Sequence, residues 1–307
     1  MTTARGSALL LSSFLVLLLS FAESLAMSKK VVFISGAGGQ TGQSLFRQCL
    51  EEPDYQAIGI VRSETSKQAL LDAGGIPDPS CIQVADVTDR EAIQKVVDQY
   101  SDNVAAFCIC TSAKPAPTGE TNEETGRPVF GFPNGDPEVV DWEGQKNQID
   151  ACPDGTHVVV CSTMGGTDPN HPLNNLGRIQ NEDGSFSGGN IVKWKRKTEV
   201  YLMEQERLVY TIVHPGGLVN EPRGERRLVA GVDDDGTTGT DSRTVPREDV
   251  ARVMLEAVKN RDAYVGRSFD LRAAPKEDDG EKVDTDFSAL LDSLEGKNCD
   301  YSLGAIM

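Results

Sequence analysis

Residues 35–42 (SGAGGQTG) follow directly on an apolar, β-branched run, Lys30–Ser35 (KVVFIS), and lead into an amphipathic stretch. A glycine-rich turn caught between a strand and a helix constrains the chain more than any other feature. Gly36, Gly39 and Gly42 give a G-x-x-G-x-x-G spacing, with Gly38 an additional glycine. The first glycine permits the tight turn, the second lets backbone approach a diphosphate, and the third lets helix and strand pack closely. The amide groups of Gln40, Thr41 and Gly42 at the helix start then face anionic oxygens, helped by the helix dipole. The context of strand, turn and helix is what separates this pattern from a chance run of glycines.

The rest of the chain repeats the alternation. Short apolar runs at residues 57–61, 81–84, 104–110, 158–161 and 209–213 read as buried strands, with a late strand at 267–271. Helical periodicity is expected over residues 41–51, 64–73, 90–99, 139–151, 193–205, 248–259 and 287–294. The sequence therefore predicts one α/β domain over residues 29–273, a doubly wound, mainly parallel sheet of Rossmann type. Two long polar stretches, residues 112–137 and 168–189, are expected as loops that roof a ligand. Residues 274–307 read as an acidic connector, solvated over 274–286, and a terminal helix.

The second strand ends at Arg62, 20 residues after Gly42, with no acidic neighbour before Glu64. NAD-specific folds place an acid here for the ribose 2′-hydroxyl, whereas a guanidinium pairs with a 2′-phosphate. The expected cofactor is NADP(H), with NAD the alternative. After the third strand, Asp86 and Val87 stand at the carboxyl edge of the sheet. Asp86 is within reach of an adenine, and Asp89 reads as the cap of the next helix.

Together these residues resemble the atypical short-chain dehydrogenase/reductases, in particular the NmrA-like NAD(P)-binding proteins of plants. The likeness runs through residues 141–151 (DWEGQKNQIDA), 162–167 (STMGGT), 190–197 (NIVKWKRK) and 210–217 (YTIVHPGG). The resemblance implies that Thr111 and Ser112 line the cofactor after the fourth strand. It also implies that Pro215, Gly216 and Gly217 close over the nicotinamide and that Ser162, or Thr163, meets the substrate. Members with full chemistry carry Tyr-x-x-x-Lys, and Lys195 takes the lysine place on the nicotinamide ribose. Four residues earlier stands Ile191, which cannot move a proton. Lys195 and Ser162 are thus the candidate catalytic residues, without the usual tyrosine.

Three readings follow: an NADP(H)-dependent oxidoreductase acting on a small organic substrate, a non-catalytic sensor or scaffold that binds the nucleotide, and a sugar-nucleotide epimerase. Lys193, Lys195, Arg196 and Lys197 crowd one helix, and most of these charges are expected to be solvated. His214, Tyr210, Trp142 and Trp194 are expected in structural roles.

A net charge of −17 excludes a nucleic acid as principal partner, since the average field repels phosphate. Residues 1–26 read as a signal peptide, with an apolar core over residues 8–22 and cleavage after Ala26. The core is short for a bilayer span, so no membrane anchor is expected after cleavage. This leader directs the chain to the secretory route, ending in the lumen, outside the cell, or in a plastid reached by bipartite targeting. The seven cysteines do not form a disulfide framework, and along the sequence no Cys/His group has zinc-ligand spacing.

Overall fold

In the computed structural model the described residues are 29–121, 123, 126–181, 183–235, 242–275 and 285–304. The leader expected over residues 1–26 lies outside them. So does most of the stretch expected as a solvated connector. No helix among the described residues is long and apolar enough to cross a membrane.

The strands are β1 Lys30–Ser35, β2 Tyr55–Val61, β3 Ile82–Val84, β4 Val104–Ile109, β5 Ala116–Thr121, β6 Pro128–Gly131, β7 His157–Cys161, β8 Ile179–Gln180 and β9 Phe186–Ser187. Then follow β10 Val209–Pro215, β11 Gly217–Val219, β12 Leu228–Gly231, β13 Thr244–Pro246 and β14 Arg267–Ala273. The helices are α1 Gln40–Leu50, α2 Glu64–Asp72, α3 Arg90–Asp98, α4 Gln145–Ala151, α5 Ile191–Met203, α6 Arg247–Lys259, α7 Arg261–Tyr264 and α8 Phe287–Asp292.

Eight strands form one sheet in the order β12-β14-β10-β7-β4-β1-β2-β3, parallel throughout except for β12. The order reverses direction between β1 and β4. That is the point where an open α/β sheet leaves a crevice beyond its carboxyl ends. Apolar side chains from the two faces of the sheet form separate cores. One lies under α1 and α6 and includes Val32, Ile34, Leu45, Phe46 and Val253. The other lies under α3, α4 and α5 and includes Phe33, Ile58, Phe107, Ile149 and Leu202.

Several expectations are revised. The polar stretch 112–137 carries the antiparallel hairpin β5–β6, and 168–189 carries a 3-10 turn, Pro172–Asn175, and the small hairpin β8–β9. Alternating apolar patterning is weak in both hairpins because neither packs on the core. The helix expected over 139–151 begins with a π-helical segment, Glu138–Gly144, before α4. Strand β10 runs two residues further than expected, through His214 and Pro215, because β14 pairs with it there (His214 beside Asp270, Pro215 beside Leu271). The end of the chain is not separate from the domain: Leu290 and Leu294 join the core under α6.

Candidate cofactor cleft and the adjoining polar edge

The glycine turn adopts its shape for reasons that can be checked atom by atom. Gly36 has φ +67°, which L side chains rarely adopt, and a Cβ there would stand 2.7 Å from the Cys110 carbonyl oxygen. A Cβ on Gly42 would strike the Gly36 carbonyl itself. The Gly39 amide donates to the Gly36 carbonyl (2.8 Å) and the Ala37 amide to the Ile60 carbonyl (3.2 Å), fixing the turn against β2. Helix α1 has no side-chain cap and no acid in its first turn. The amides of Gln40, Thr41 and Gly42 have no partner among the described residues. Three open donors at a helix start make an anion site.

A cleft of about 220 Å³ opens beside this turn. It brings together Gly36, Gly38, Gly39, Arg62, Asp86, Val87, Thr111 and Ser112 from the expected set. Arg62 is exposed at the rim, where Nη2 donates to Asn134 Oδ1 at 3.1 Å. The Asp86 carboxylate accepts from the Thr88 amide (2.9 Å) and hydroxyl (2.8 Å), which holds its side chain over the end of β3. Asp89 caps α3 by accepting from the Ala92 amide. The residues 141–151 brace the cleft from below. Gln145 donates to the Thr111 carbonyl (2.7 Å), Gln148 to the Thr111 hydroxyl (3.1 Å) and Asn147 to the Val87 carbonyl (3.0 Å).

Lys195, Ser162, Pro215, Gly216 and Gly217 do not line this cleft. They lie beyond it, along the carboxyl ends of β7 and β10. Lys195 is buried, its Nζ 2.8 Å from Asp141 Oδ1. Burial alone would lower the Lys195 pKa, but the Asp141 carboxylate outweighs it and the net shift is upward. The Asp141 carboxylate also accepts from the Ala113 amide at 2.9 Å, tying the pair to the loop after β4. The Pro-Gly-Gly segment is fixed by Gly216 donating to the Leu271 carbonyl (2.9 Å) and Gly217 to the Arg243 carbonyl (2.8 Å).

Two of the four basic residues on α5 are not solvated, contrary to expectation, and a third, Lys193, is half-buried. Lys195 and Arg196 are buried and only Lys197 is exposed. Each buried cation has its own partner. The Arg196 guanidinium donates to the carbonyls of Asp300 (2.7 Å) and Leu303 (3.3 Å) and lies 4.0 Å over the Tyr301 ring. Trp142 packs edge-on against Tyr201, with the Lys197 ammonium 4.1 Å from the Trp142 ring centroid.

Ser162, His214 and Asp270 form a row across β7, β10 and β14, on the face covered by α5. The Ser162 hydroxyl donates to Glu199, whose other oxygen is 3.1 Å from His214 Nε2. All four side chains are buried. Burial raises the Glu199 carboxyl, but His214 and the hydrogen bonds from His214 and Ser162 overcome it and leave the pKa at about 2. Asp270 goes the other way, pushed up to about 6 chiefly by burial. Ile191, in the place of the family tyrosine, is the buried first residue of α5. Sequence reasoning missed Asn134, Lys114 and Ser66 in the cleft, and Glu199 behind Ser162. Of these, only Glu199 left a trace, one helical turn after Lys195.

Residues 36–261 match the model of a family described as NAD(P)H-binding. Sanguinarine reductase of Eschscholzia californica is 36% identical over 290 residues, spanning 87% of this chain and 97% of that protein. A chloroplastic protein of Arabidopsis thaliana with no assigned activity is 36% identical over 272 residues, 87% of this chain and 76% of its own. Among solved structures, a putative NAD-dependent epimerase/dehydratase from Bacillus halodurans superposes with TM-score 0.55 at 20% identity, covering 86% of this chain and all of that one. The yeast methylglyoxal/isovaleraldehyde reductase Gre2, in complex with NADPH, superposes with TM-score 0.52 at 17% identity, covering 78% and 76%. These two share the fold. With its Rossmann order, its glycine turn at the switch point and its match to the NAD(P)H-binding family, the chain belongs to the atypical short-chain dehydrogenase/reductases.

Proposed function

We propose that the chain is an NADP(H)-dependent oxidoreductase that acts on a small organic substrate held at the edge formed by Ser162 and residues 215–217. The observation that carries this reading is the placement of Arg62. A guanidinium stands at the rim of the cleft beside the glycine turn, where a ribose 2′-phosphate would emerge, and no carboxylate shares that strand end. The donors present fit a dinucleotide. The amides of Gln40, Thr41 and Gly42 take the diphosphate, and Asp86 and Val87 bound the adenine side. Thr111 and Ser112 continue the track towards Lys195, and Lys195, held by Asp141, faces the second ribose.

When bound, the nicotinamide supplies or accepts the hydride. The chain's own residues orient it and exclude water, and orientation carries most of the rate. Ser162 positions the substrate through a hydroxyl that Glu199 holds in one direction. Ile191 provides no proton, so the proton balance is met by solvent or by the substrate. The reductase named among the relatives favours turnover over passive binding.

A second reading, a nucleotide sensor without turnover, draws support from the same Ile191. Calorimetric titration with NADPH and NADH, followed by NADPH oxidation against a panel of quinones and carbonyl compounds, separates the two. Tighter binding of NADPH with consumption on at least one acceptor supports the enzyme. Tight binding with no consumption on any acceptor transfers the assignment to the sensor. No heat with either nucleotide overturns both. For the amino-terminal leader we favour a plastid destination, because the Arabidopsis relative is described as chloroplastic. Microscopy of a reporter carried by the leader should place it in the plastid, and a reporter confined to the endomembrane lumen or secreted overturns this.

A further inference from the structure

The row of buried polar groups at the ends of β10 and β14 continues past the residues that the redox reading uses. Cys299, from the chain that follows α8, comes to rest against it. His214 Nδ1 and Cys299 Sγ are 3.5 Å apart, His214 Nδ1 and Asp270 Oδ1 3.6 Å, and Cys299 Sγ and Asp270 Oδ1 3.8 Å. All three side chains are buried. We propose that His214 Nδ1, Asp270 Oδ1 and Cys299 Sγ are the ligands of a divalent cation of zinc type.

The separations admit a small ion between the three atoms. Three atoms with these separations have a common point about 2.1 Å from each, against zinc bond lengths of about 2.0–2.3 Å to imidazole, carboxylate and thiolate. The mixed nitrogen, oxygen and sulfur set suits a borderline-soft ion and not magnesium or calcium.

The surroundings point the same way. His214 Nε2 faces Glu199 Oε2 at 3.1 Å, which fixes the ring so that its Nδ1 edge is turned to Asp270 and Cys299. A carboxylate behind a ligating histidine is a recurrent support for zinc. The second oxygen of Asp270 accepts from the Asp234 amide at 2.7 Å, which orients Oδ1 towards the same point. Beside the three ligands is a cavity of about 10 Å³ bounded by Thr163, Thr167, Asp233 and Asp234. That is room for one water molecule, the usual fourth ligand of a three-residue site. Arg196 also borders the cavity, but its guanidinium is turned to the Asp300 and Leu303 carbonyls. The three ligands are scattered along the sequence, which is why ligand spacing does not reveal them. On binding, the Cys299 thiol proton and any proton on His214 Nδ1 pass to solvent.

The site is independent of the nicotinamide reading, and its test uses no turnover. The full chain is stripped with a chelator and titrated with Zn²⁺ against a chromophoric competitor, then with Co²⁺ under the same conditions. One equivalent of zinc per chain is expected. The cobalt form should show the visible bands of a tetrahedral ion and a near-ultraviolet thiolate-to-metal band. Cys299→Ser should abolish the thiolate band, whereas Cys152→Ser, a buried thiol elsewhere in the fold, should leave it. Glu199→Gln should weaken zinc binding about 10- to 100-fold, the range for removing a supporting carboxylate. A wild-type chain with no saturable uptake, or with cobalt bound but no thiolate band, overturns the proposal without reference to any variant. Uptake unchanged in a folded Cys299→Ser chain overturns it equally.

Discussion

Lys195 Nζ and Asp141 Oδ1 stand 2.8 Å apart with the carboxylate wholly enclosed and the lysine nearly so. The pair joins α5 to the π-helical segment under the cleft, and the same carboxylate holds the loop after β4 through the Ala113 amide. Removing one partner strands a buried charge, a loss of about 3–5 kcal/mol. Asp141→Asn should therefore destabilise the chain by about that amount in urea unfolding. The apolar double replacement Asp141→Leu with Lys195→Met should recover much of the loss. A cost under about 1 kcal/mol for the single substitution would mean that the pair is not enclosed.

Two neighbouring glycines should behave differently. Alanine at Gly42 drives a Cβ into the Gly36 carbonyl, where only backbone can yield. Gly42→Ala should cost about 1–3 kcal/mol and abolish nucleotide binding, because the amides at the start of α1 move with the turn. Gly38→Ala meets only the Ser66 Cβ and Val61 Cγ1 at 3.7 Å, ordinary contact, and should leave the thermal midpoint unchanged. Thermal shift with and without NADPH reads both effects.

Among the described residues Arg62 donates only to Asn134, at 3.1 Å and 3.4 Å, and is exposed. A 2′-phosphate replaces this weak partner with a charge-assisted one. Arg62→Ala should weaken NADPH about 10- to 100-fold, from the loss of about 1.5–3 kcal/mol, and leave NADH within about three-fold. Equal affinities of the unaltered chain for the two nucleotides would remove the basis for the NADP preference.

His157 supplies a pH dependence unrelated to the site. Its Nε2 is 2.8 Å from the Thr211 hydroxyl, and that hydroxyl donates to the Tyr264 carbonyl (2.7 Å). Nε2 is therefore the donor, and Nδ1 is buried with no partner among the described residues. Burial, and secondarily Arg261, lowers the imidazole pKa from 6.5 to about 4. Between these values the unfolded chain binds a proton that the folded chain refuses, so stability falls as pH drops from about 6.5 to about 4. The His157 contribution to that fall is about 3 kcal/mol at most, at 1.36 kcal/mol per pKa unit. Urea unfolding at pH 7.5 and pH 5 should show the loss, and His157→Asn should flatten it.

The sheet and the glycine turn were legible in the sequence because both are written in local patterns. Runs such as VVFI (31–34) and VVVC (158–161) have no polar face to expose, so they read as central parallel strands. The positions of charges were not legible in this way. Lys195 and Arg196 look like surface residues until Asp141 and the carbonyls of Asp300 and Leu303 arrive from distant parts of the chain. Likewise Asn134 reaches Arg62 only through the turn after β6, and Glu199 becomes part of the polar edge only because His214 extends β10. What local pattern cannot show is which long-range partner satisfies a polar group that the fold has buried.

Residues 300–304 act as a rear wall. Asp300 and Leu303 lend their carbonyls to Arg196, the Asp300 amide donates to Asp233 (2.6 Å), and a Cβ on Gly304 would meet the Gly166 carbonyl. Purification handles and reporter fusions are routinely appended at this end of a recombinant protein. Here they would pull on the backing of the buried polar edge, so an assay of a carboxyl-terminal fusion would measure the handle as much as the fold.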